Sequence, residues 1–572
     1  MTKSDSKTPL SPVEGIKTRS RHLRGTLVDS LSDRVTGAIA EDDTQVSKFH
    51  GIYQQDDRDR RAERQRQKLE PAYSFMIRGR LPGGKCTPEQ WLAIEALGEQ
   101  YASTGVRLTT RQAFQFHGVI KGALKPTIQG IDAALLDTIA ACGDVNRNVM
   151  CSPNPHLSQV HGEVDAIAAA LSAHLTPQTR AYHEIWLDGE KVTEAPEVVE
   201  PIYGDTYLPR KFKTGFVIPP QNDVDVFTQD LGFVAIVDGE TLVGFNVTAG
   251  GGMGSTHGDA TTFPRLADTL GFITPDQVLD AATAIVTTQR DFGNRANRKN
   301  ARLKYTIETM GLESFRQEVE SRQGFEFEAP RAVQFDESGD RLGWVEAEDG
   351  VWHFGLFIPS GRVRDHADGP LYQSGLIEIA KVHHGEFRVT PNQNLIIAGV
   401  SAEQKVLISG LLAAHGLAEP TSALATGAMA CVALPTCALA MADAERFLPE
   451  LTEQVAAIFV RHGLPEQDLS MRVTGCPNGC ARPFVAEIAL VGKAPGHYNL
   501  YLGGRHDGTR LNKLYRENIS VSEILTELDD LVAKFSQTRN ADERFGDFCI
   551  RTGIIAETTA GRNFHDAVST AA

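Results

Sequence analysis

The sequence predicts an α+β protein built by internal duplication. Three observations carry that expectation. Strand-like segments alternate with helical ones, the segment order repeats after about 280 residues, and four cysteines gather in only one half.

In chain order, residues 1–70 read as an N-terminal extension, polar and irregular to about residue 45 and either mobile or laid on a partner. Its end, "DDRDRRAERQRQKLE" (56–70), mixes both charges and reads as a solvated helix or arm, with docking on a partner as the alternative. Residues 71–140 open the body with "SFMIRGRLPGG" (74–84) and "VRLTTRQAFQFHGV" (106–119). Residues 341–420 repeat this with "HFGLFIPSGRV" (353–363) and "FRVTPNQNLIIAGV" (387–400). A basic residue, a Thr and a Gln recur at matching offsets before an apolar strand ending in Gly. Residues 141–340 and 421–572 form a second pair of units. In these, "NRNVMCSPNP" answers "GAMACVALPTC", and "FKTGFVIPP" answers "LSMRVTGCPNGC". The Gly-rich "GGGMG" (250–254) opens no dinucleotide or P-loop motif and is read as a tight turn or a close approach to a cofactor.

The chain has 572 residues, 57 basic against 73 acidic, for a formal charge of −16. That balance disfavours general nucleic-acid binding but allows a local basic pocket. No apolar run reaches the roughly 18 residues of a membrane helix. "MTKSDSKTPLSPVEG" lacks a signal pattern, so a cytoplasmic protein is expected. In such a chain clustered thiols point to metal rather than to disulfides. Cys86, Cys142, Cys151 and Cys549 are scattered and read as small packed hydrophobes.

The other four run Cys431-x5-Cys437, then 38 residues, then Cys476-x3-Cys480. Gly475, Pro477 and Gly479 keep the backbone around them out of helix, so that N–H groups can turn toward sulfur. The spacing is loose for structural zinc and suits a [4Fe–4S] cluster better; zinc remains the alternative.

"TGCPNGCARPFVAEIAL", with "CVALPTCALAMADAERFLP" as the first cysteine pair, resembles the siroheme and iron–sulfur signature of sulfite and nitrite reductases. "FHGIYQQDDRDRRAER", "RLPGG", "YLPRKFKT" and "TTQRDFGNR" make the chain similar, more narrowly, to the hemoprotein subunits of NADPH-dependent sulfite reductases. The likeness covers about residues 45–565. It implies a parachute-like domain plus two related α/β domains around siroheme, a [4Fe–4S] cluster held by Cys431, Cys437, Cys476 and Cys480, and Cys480 shared with the siroheme iron. It also implies sulfite as substrate, an FAD- and FMN-containing flavoprotein as electron donor, and a hetero-oligomer. Departures are small: Ala481 follows the last cysteine, Gly79 lies between Arg78 and Arg80, and Phe292 replaces a common Trp.

Reducing a dianion while delivering protons calls for positive charge and proton donors at one place. The resemblance assigns anion binding to Arg78, Arg147, Lys211 and Lys213. Lys211 and Lys213 are two apart, so in extended chain they converge while Phe212 points away. Siroheme's eight carboxylates call for further cations and amides. Candidates are Arg107, Arg111, Gln115, His117, Asn392, Gln393 and Asn394, with some of Arg290, Asn294, Arg295, Arg298 and Lys299. His117 has an ordinary buried histidine as its alternative. Nitrite reduction, a ferredoxin-dependent sulfite reductase and a zinc-stabilised scaffold are the competing readings. The charged N-terminal run favours the flavoprotein-dependent type, and a zinc scaffold leaves the duplicated basic motifs unexplained.

Overall fold

The computed structural model describes residues 9–178, 186–187, 190–191, 200–418, 422–464 and 468–566. Helices and mixed sheets form an α+β body in which the expected duplication is visible twice.

The first duplicated pair is two five-stranded sheets. One runs, in spatial order, Ile52–Asp56, Tyr73–Arg78, Phe114–Val119, Val106–Leu108 and Arg362–Val363. The other runs Gly343–Glu346, Trp352–Leu356, Leu395–Val400, Glu386–Val389 and Lys85–Cys86. Each half thus lends a short strand to the other's sheet: Arg362 pairs with Arg107, and Lys85 with Arg388. The likeness extends to single hydrogen bonds. Gln112 and Gln393 both have positive φ, and their amides donate to the carbonyls of Gly83 and Ser360 in matching turns. Both sheets share one core, where Phe75, Trp91 and Phe116 meet Phe354, Leu376 and Ile397.

Helix Pro88–Tyr101 shows why these segments fold locally as they do. Thr87 and Gln90 cap its N-terminus reciprocally, and Pro88 takes the first turn, where no N–H is needed. Trp91, Ile94 and Gly98 fall on one buried face. A cap of this kind contributes about 1 kcal/mol, so burial of that face holds the helix more than the cap does.

The second duplicated pair is two α/β layers. In one, Thr214–Val217 lies parallel to Leu231–Asp238, followed by antiparallel Thr241–Ala249 and Asp268–Ile273. In the other, Ala428–Ala430, Met471–Thr474 and Ile488–Ala494 are parallel, followed by antiparallel His497–Leu502 and Lys513–Ser520. Met150 bridges Gly215 in parallel as Met429 pairs with Arg472, which joins "NRNVM" to "GAMAC". Helices Gln159–His174 and Val278–Phe292 contribute to the core of the first layer, and Leu448–Arg461 and Val521–Thr538 to that of the second.

The N-terminal segment departs from expectation. From residue 11 on it is docked on the chain's own body. Ile16, Leu23, Val46 and Phe49 enter the core of the first α/β layer. Buried Lys17 pairs with Glu14 at 2.6 Å and donates to the Leu208 carbonyl at 2.8 Å. Arg295 reaches Glu14 at 2.5 Å. A composition that reads as polar hides these few apolar anchors, and its charges are matched by residues far along the chain. Ile52–Asp56 is a strand of the first sheet, inside the stretch read as extension. Residues 1–8 lie outside the described residues.

Candidate redox and anion-binding site

Strands of the second α/β layer deliver the cysteines. Ala428–Ala430 runs into Cys431, and Met471–Thr474 runs into the "GCPNGC" turn. A Cβ on Gly475 would stand 2.7 Å from Ala433 Cβ and from the Ala442 carbonyl. Gly479 has φ +64° and faces Met253. Both positions therefore require glycine. The Gly475 amide donates to Cys431 Sγ at 3.3 Å, and Asn478 Nδ2 lies 3.5 Å from Cys476 Sγ.

The four thiols are electrostatic neighbours. Burial, then Cys480, pushes the Cys476 thiol up to about 11. The same two causes raise Cys431 and Cys437. Four thiolates here need a cationic centre, which is the condition for a metal site. Among the described residues, however, no three His, Cys, Asp or Glu side chains close on one point as single-ion ligands. Zinc would draw its sulfurs to about 3.8 Å from one another, given Zn–S bonds of about 2.3 Å. Four neighbouring thiols that do not close on one point fit a cluster better than one ion.

Facing this turn is a basic wall. Phe212 is 1% exposed and packs in the core, so Lys211 and Lys213 project to the opposite side, as the spacing predicted. Burial, then Arg210, Arg147 and Arg302, holds the Lys211 ammonium well below the usual lysine range. Burial, then Arg111, Arg302 and Lys211, does the same to Lys213. Both feel Cys480 as the opposing charge. Neither ammonium donates a hydrogen bond to a described residue. A cleft of about 580 Å³ opens here, lined among others by Arg210, Lys211, Lys299, Arg302 and Asn478 of the cysteine turn. Arg302 is paired with Asp230 at 2.5 Å, whereas Lys211 and Lys213 meet no carboxylate among the described residues; cations left over beside an open space fit a polyanionic prosthetic group and an anionic substrate.

Arg78 donates to Cys142 Sγ at 3.0 Å and, with the Gln115 amide oxygen turned toward it, to Gln115 at 3.0 Å. Gln115 in turn donates to His117 Nε2 at 3.3 Å. Burial, then Arg362 and Arg107, holds His117 well below the usual histidine range, so it is neutral. Gln115 and His117 therefore brace Arg78 from behind. Cys142, read as a packed hydrophobe, is also a hydrogen-bond acceptor. Arg147 reaches Gly143 O at 3.3 Å and Tyr53 Oη at 3.4 Å.

Other candidates are committed within the protein. Arg107 pairs with Glu445 at 2.8 Å and donates to Ala430 O, tying the first sheet to the cysteine layer. Asn392 and Asn394 both donate to Asp340, and Gln393 to Ser360. Arg290 is taken by Asp291, Arg295 by Glu14, and Asn294 accepts from the amides of Ala296 and Asn297. Only Arg298 and Lys299 of that group line the cleft, paired with Asp144 and Asp259. Arg111 donates to Gln229 and to the carbonyls of Asn148 and Thr214, while its Nε is buried and unpartnered.

Sequence reading missed Arg210, Arg302 and Lys304. Arg210 adjoins Lys211, and the other two end the basic run "RDFGNRANRKNARLKY" that drew attention to its earlier residues. The Gly79 departure has a physical reason: a Cβ there would fall 2.2 Å from the Phe114 ring.

The comparisons define the class first. A nitrite and sulphite reductase 4Fe-4S domain model matches residues 167–327, and a nitrite/sulfite reductase ferredoxin-like half-domain model matches residues 66–134 and 345–415. The first match falls on the layer without the four cysteines; the second picks out the two exchanged sheets. The solved structure of Mycobacterium tuberculosis NirA protein shares the fold, with TM-score 0.75 at 21% identity over 95% of this chain and 96% of that one. At the level of the particular protein, "Sulfite reductase [NADPH] hemoprotein beta-component" of Anoxybacillus flavithermus is 58% identical over 98% of both chains. Its namesake in Shewanella sp. (strain ANA-3) is 57% identical over 96% of this chain and 98% of its own. The chain belongs to the family of NADPH sulfite reductase hemoprotein beta-components.

Proposed function

We propose that this chain reduces sulfite to sulfide by six electrons, as the hemoprotein component of an assimilatory sulfite reductase serving cysteine biosynthesis. The observation that carries the reading is the convergence of Lys211 and Lys213 on Cys480, with Arg147 beside Lys211 and Arg111 beside Lys213.

Cys431, Cys437, Cys476 and Cys480 would hold a [4Fe–4S] cluster, and Arg111, Arg210, Lys299 and Arg302 would meet siroheme carboxylates. When bound, siroheme and the cluster would supply the substrate-binding iron and the electron path, and Cys480 is the residue that would serve both. The chain's own residues handle charge and protons. Arg78, braced by Gln115, and Arg147 present fixed guanidinium groups to sulfite oxygens. Lys211 and Lys213, unpaired and held below their usual pKa, release a proton from Nζ more readily than surface lysines do. A bound dianion reverses part of that depression, so substrate strengthens each lysine's hold on its proton.

A flavoprotein carrying FAD and FMN supplies NADPH electrons in a hetero-oligomer in the cytoplasm. No helix among the described residues is long and apolar enough to cross a membrane. The test compares kcat/KM for sulfite and nitrite with reduced methyl viologen and siroheme-loaded protein. A clear preference for sulfite is expected; a clear preference for nitrite would overturn the assignment.

A further inference from the structure

The charged run at 56–70 is only partly a solvated helix. Arg61–Arg66 has no buried residue, but the residues just before it are docked. The Arg58 amide donates to Pro435 O at 3.2 Å. Its guanidinium Nη1 donates to Cys437 O at 3.2 Å and also to Ala440 O. Asp59 then pairs with Arg446 at 2.7 Å, and Arg446 reaches back to Asp443 at 2.7 Å. Residues separated by about 380 positions are thus joined at the segment that carries Cys437. That segment borders solvent, with Leu439 65% exposed. Three of its carbonyls are met by one arginine, two of them by a single cationic group.

We propose that Arg58 is a positioning residue for the cluster: it clamps the Cys437 segment and fixes a positive charge at that corner. The inference rests on the cluster assigned above. A guanidinium held on the carbonyls around a cluster ligand stabilises the more negative, reduced state over the oxidised one. It therefore raises the cluster's midpoint potential. By fixing the segment it also slows loss of iron from a corner that faces water.

The experiment uses the purified, siroheme-loaded protein and its variants Arg58→Met and Arg58→Lys, with Arg446→Gln as a control. Iron and acid-labile sulfide are counted first; absence of a four-iron cluster in the parent would defeat the cluster reading itself. Cluster midpoints are then read by EPR-monitored redox titration. Arg58→Met is expected to shift the midpoint to more negative values and to release iron to a chelator about tenfold faster, as loss of a charge-assisted hydrogen bond implies. Arg58→Lys is expected to recover most of the midpoint shift, and Arg446→Gln to leave the midpoint in place. A fully loaded Arg58→Met protein with the parent midpoint would overturn the proposal. If Arg58→Met cannot be loaded, Arg58→Lys decides. A loaded lysine variant at the parent midpoint supports the fixed charge, and a lysine variant equally unable to hold iron overturns it.

Discussion

Replacing Lys213 by Met tests the anion site with two readouts of opposite sign. Among the described residues Lys213 Nζ has no partner, and Arg111, Arg302 and Lys211 are its charged neighbours. Against a dianion it supplies one charge-assisted hydrogen bond, about 1.5–3 kcal/mol. At about 1.4 kcal/mol per tenfold, kcat/KM for sulfite should fall by about tenfold to a hundredfold. Arg147 and Lys211 remain, so activity is reduced rather than abolished. Stability should move the other way. Burial first, and then the neighbouring cations, hold the folded-state pKa below the ordinary lysine value of 10.5, so the unfolded chain binds more protons between those two values. Burying this lysine therefore costs stability at neutral pH, and stability rises as pH climbs from the folded value toward 10.5. In siroheme-free protein, Lys213→Met removes that cost and should raise the melting temperature at pH 7. The assays are methyl-viologen kinetics on protein whose siroheme content is checked optically, and thermal melts of the siroheme-free form. Unchanged kcat/KM at full siroheme content would refute the anion role. A lower melting temperature would refute the account of burial and mutual repulsion.

Cys480→Ser should reduce viologen-driven sulfite turnover to background; full turnover would take Cys480 out of the electron path. Glu445→Ala strands Arg107 and Arg362, now paired to it at 2.8 Å each, and should cost about 3–5 kcal/mol, read as a lower urea midpoint. A midpoint within error of the parent would show that the two arginines find other partners. Asp223 is raised to about 8 by burial, with Asp340 acting in the same direction. Its folded pKa exceeds the ordinary aspartate value of 3.8, so its contribution to stability falls as pH climbs from about 4 to about 8. Asp223→Asn should therefore melt higher than the parent at pH 8, with the gap closing toward pH 5; a gap independent of pH would exclude this carboxyl as the cause.

The duplication and the cysteine site were legible because each lies in a contiguous stretch. Order and offset align Thr109 with Thr390 and Gln112 with Gln393, and the turn-formers around Cys476 and Cys480 announce a metal. The destination of individual cations was not legible. Arg107 and Arg111 share one motif, yet Arg107 is spent on Glu445 while Arg111 keeps a free Nε. Arg295 and Arg302 share one basic run, yet Arg295 secures the N-terminal segment through Glu14, while Arg302 lines the cleft and pairs with Asp230. What sends each to its place is a partner tens to hundreds of residues away, and no local pattern encodes its position. The docked N-terminal segment escaped notice for the same reason, since its partners Asp144, Leu208 and Arg295 all lie outside it.

The exchanged strands bear on how the protein can be made. Lys85–Cys86 and Arg362–Val363 each complete a sheet whose other strands come from the opposite half. Cutting the chain between the halves would leave each fragment with an open edge and the wrong final strand, a template for pairing with another copy. On a ribosome, the first sheet waits for residue 363 before its last edge is covered. During that interval the nascent chain carries an uncovered β edge, so its safe synthesis depends on how soon the second half emerges, or on a chaperone that shields that edge until then.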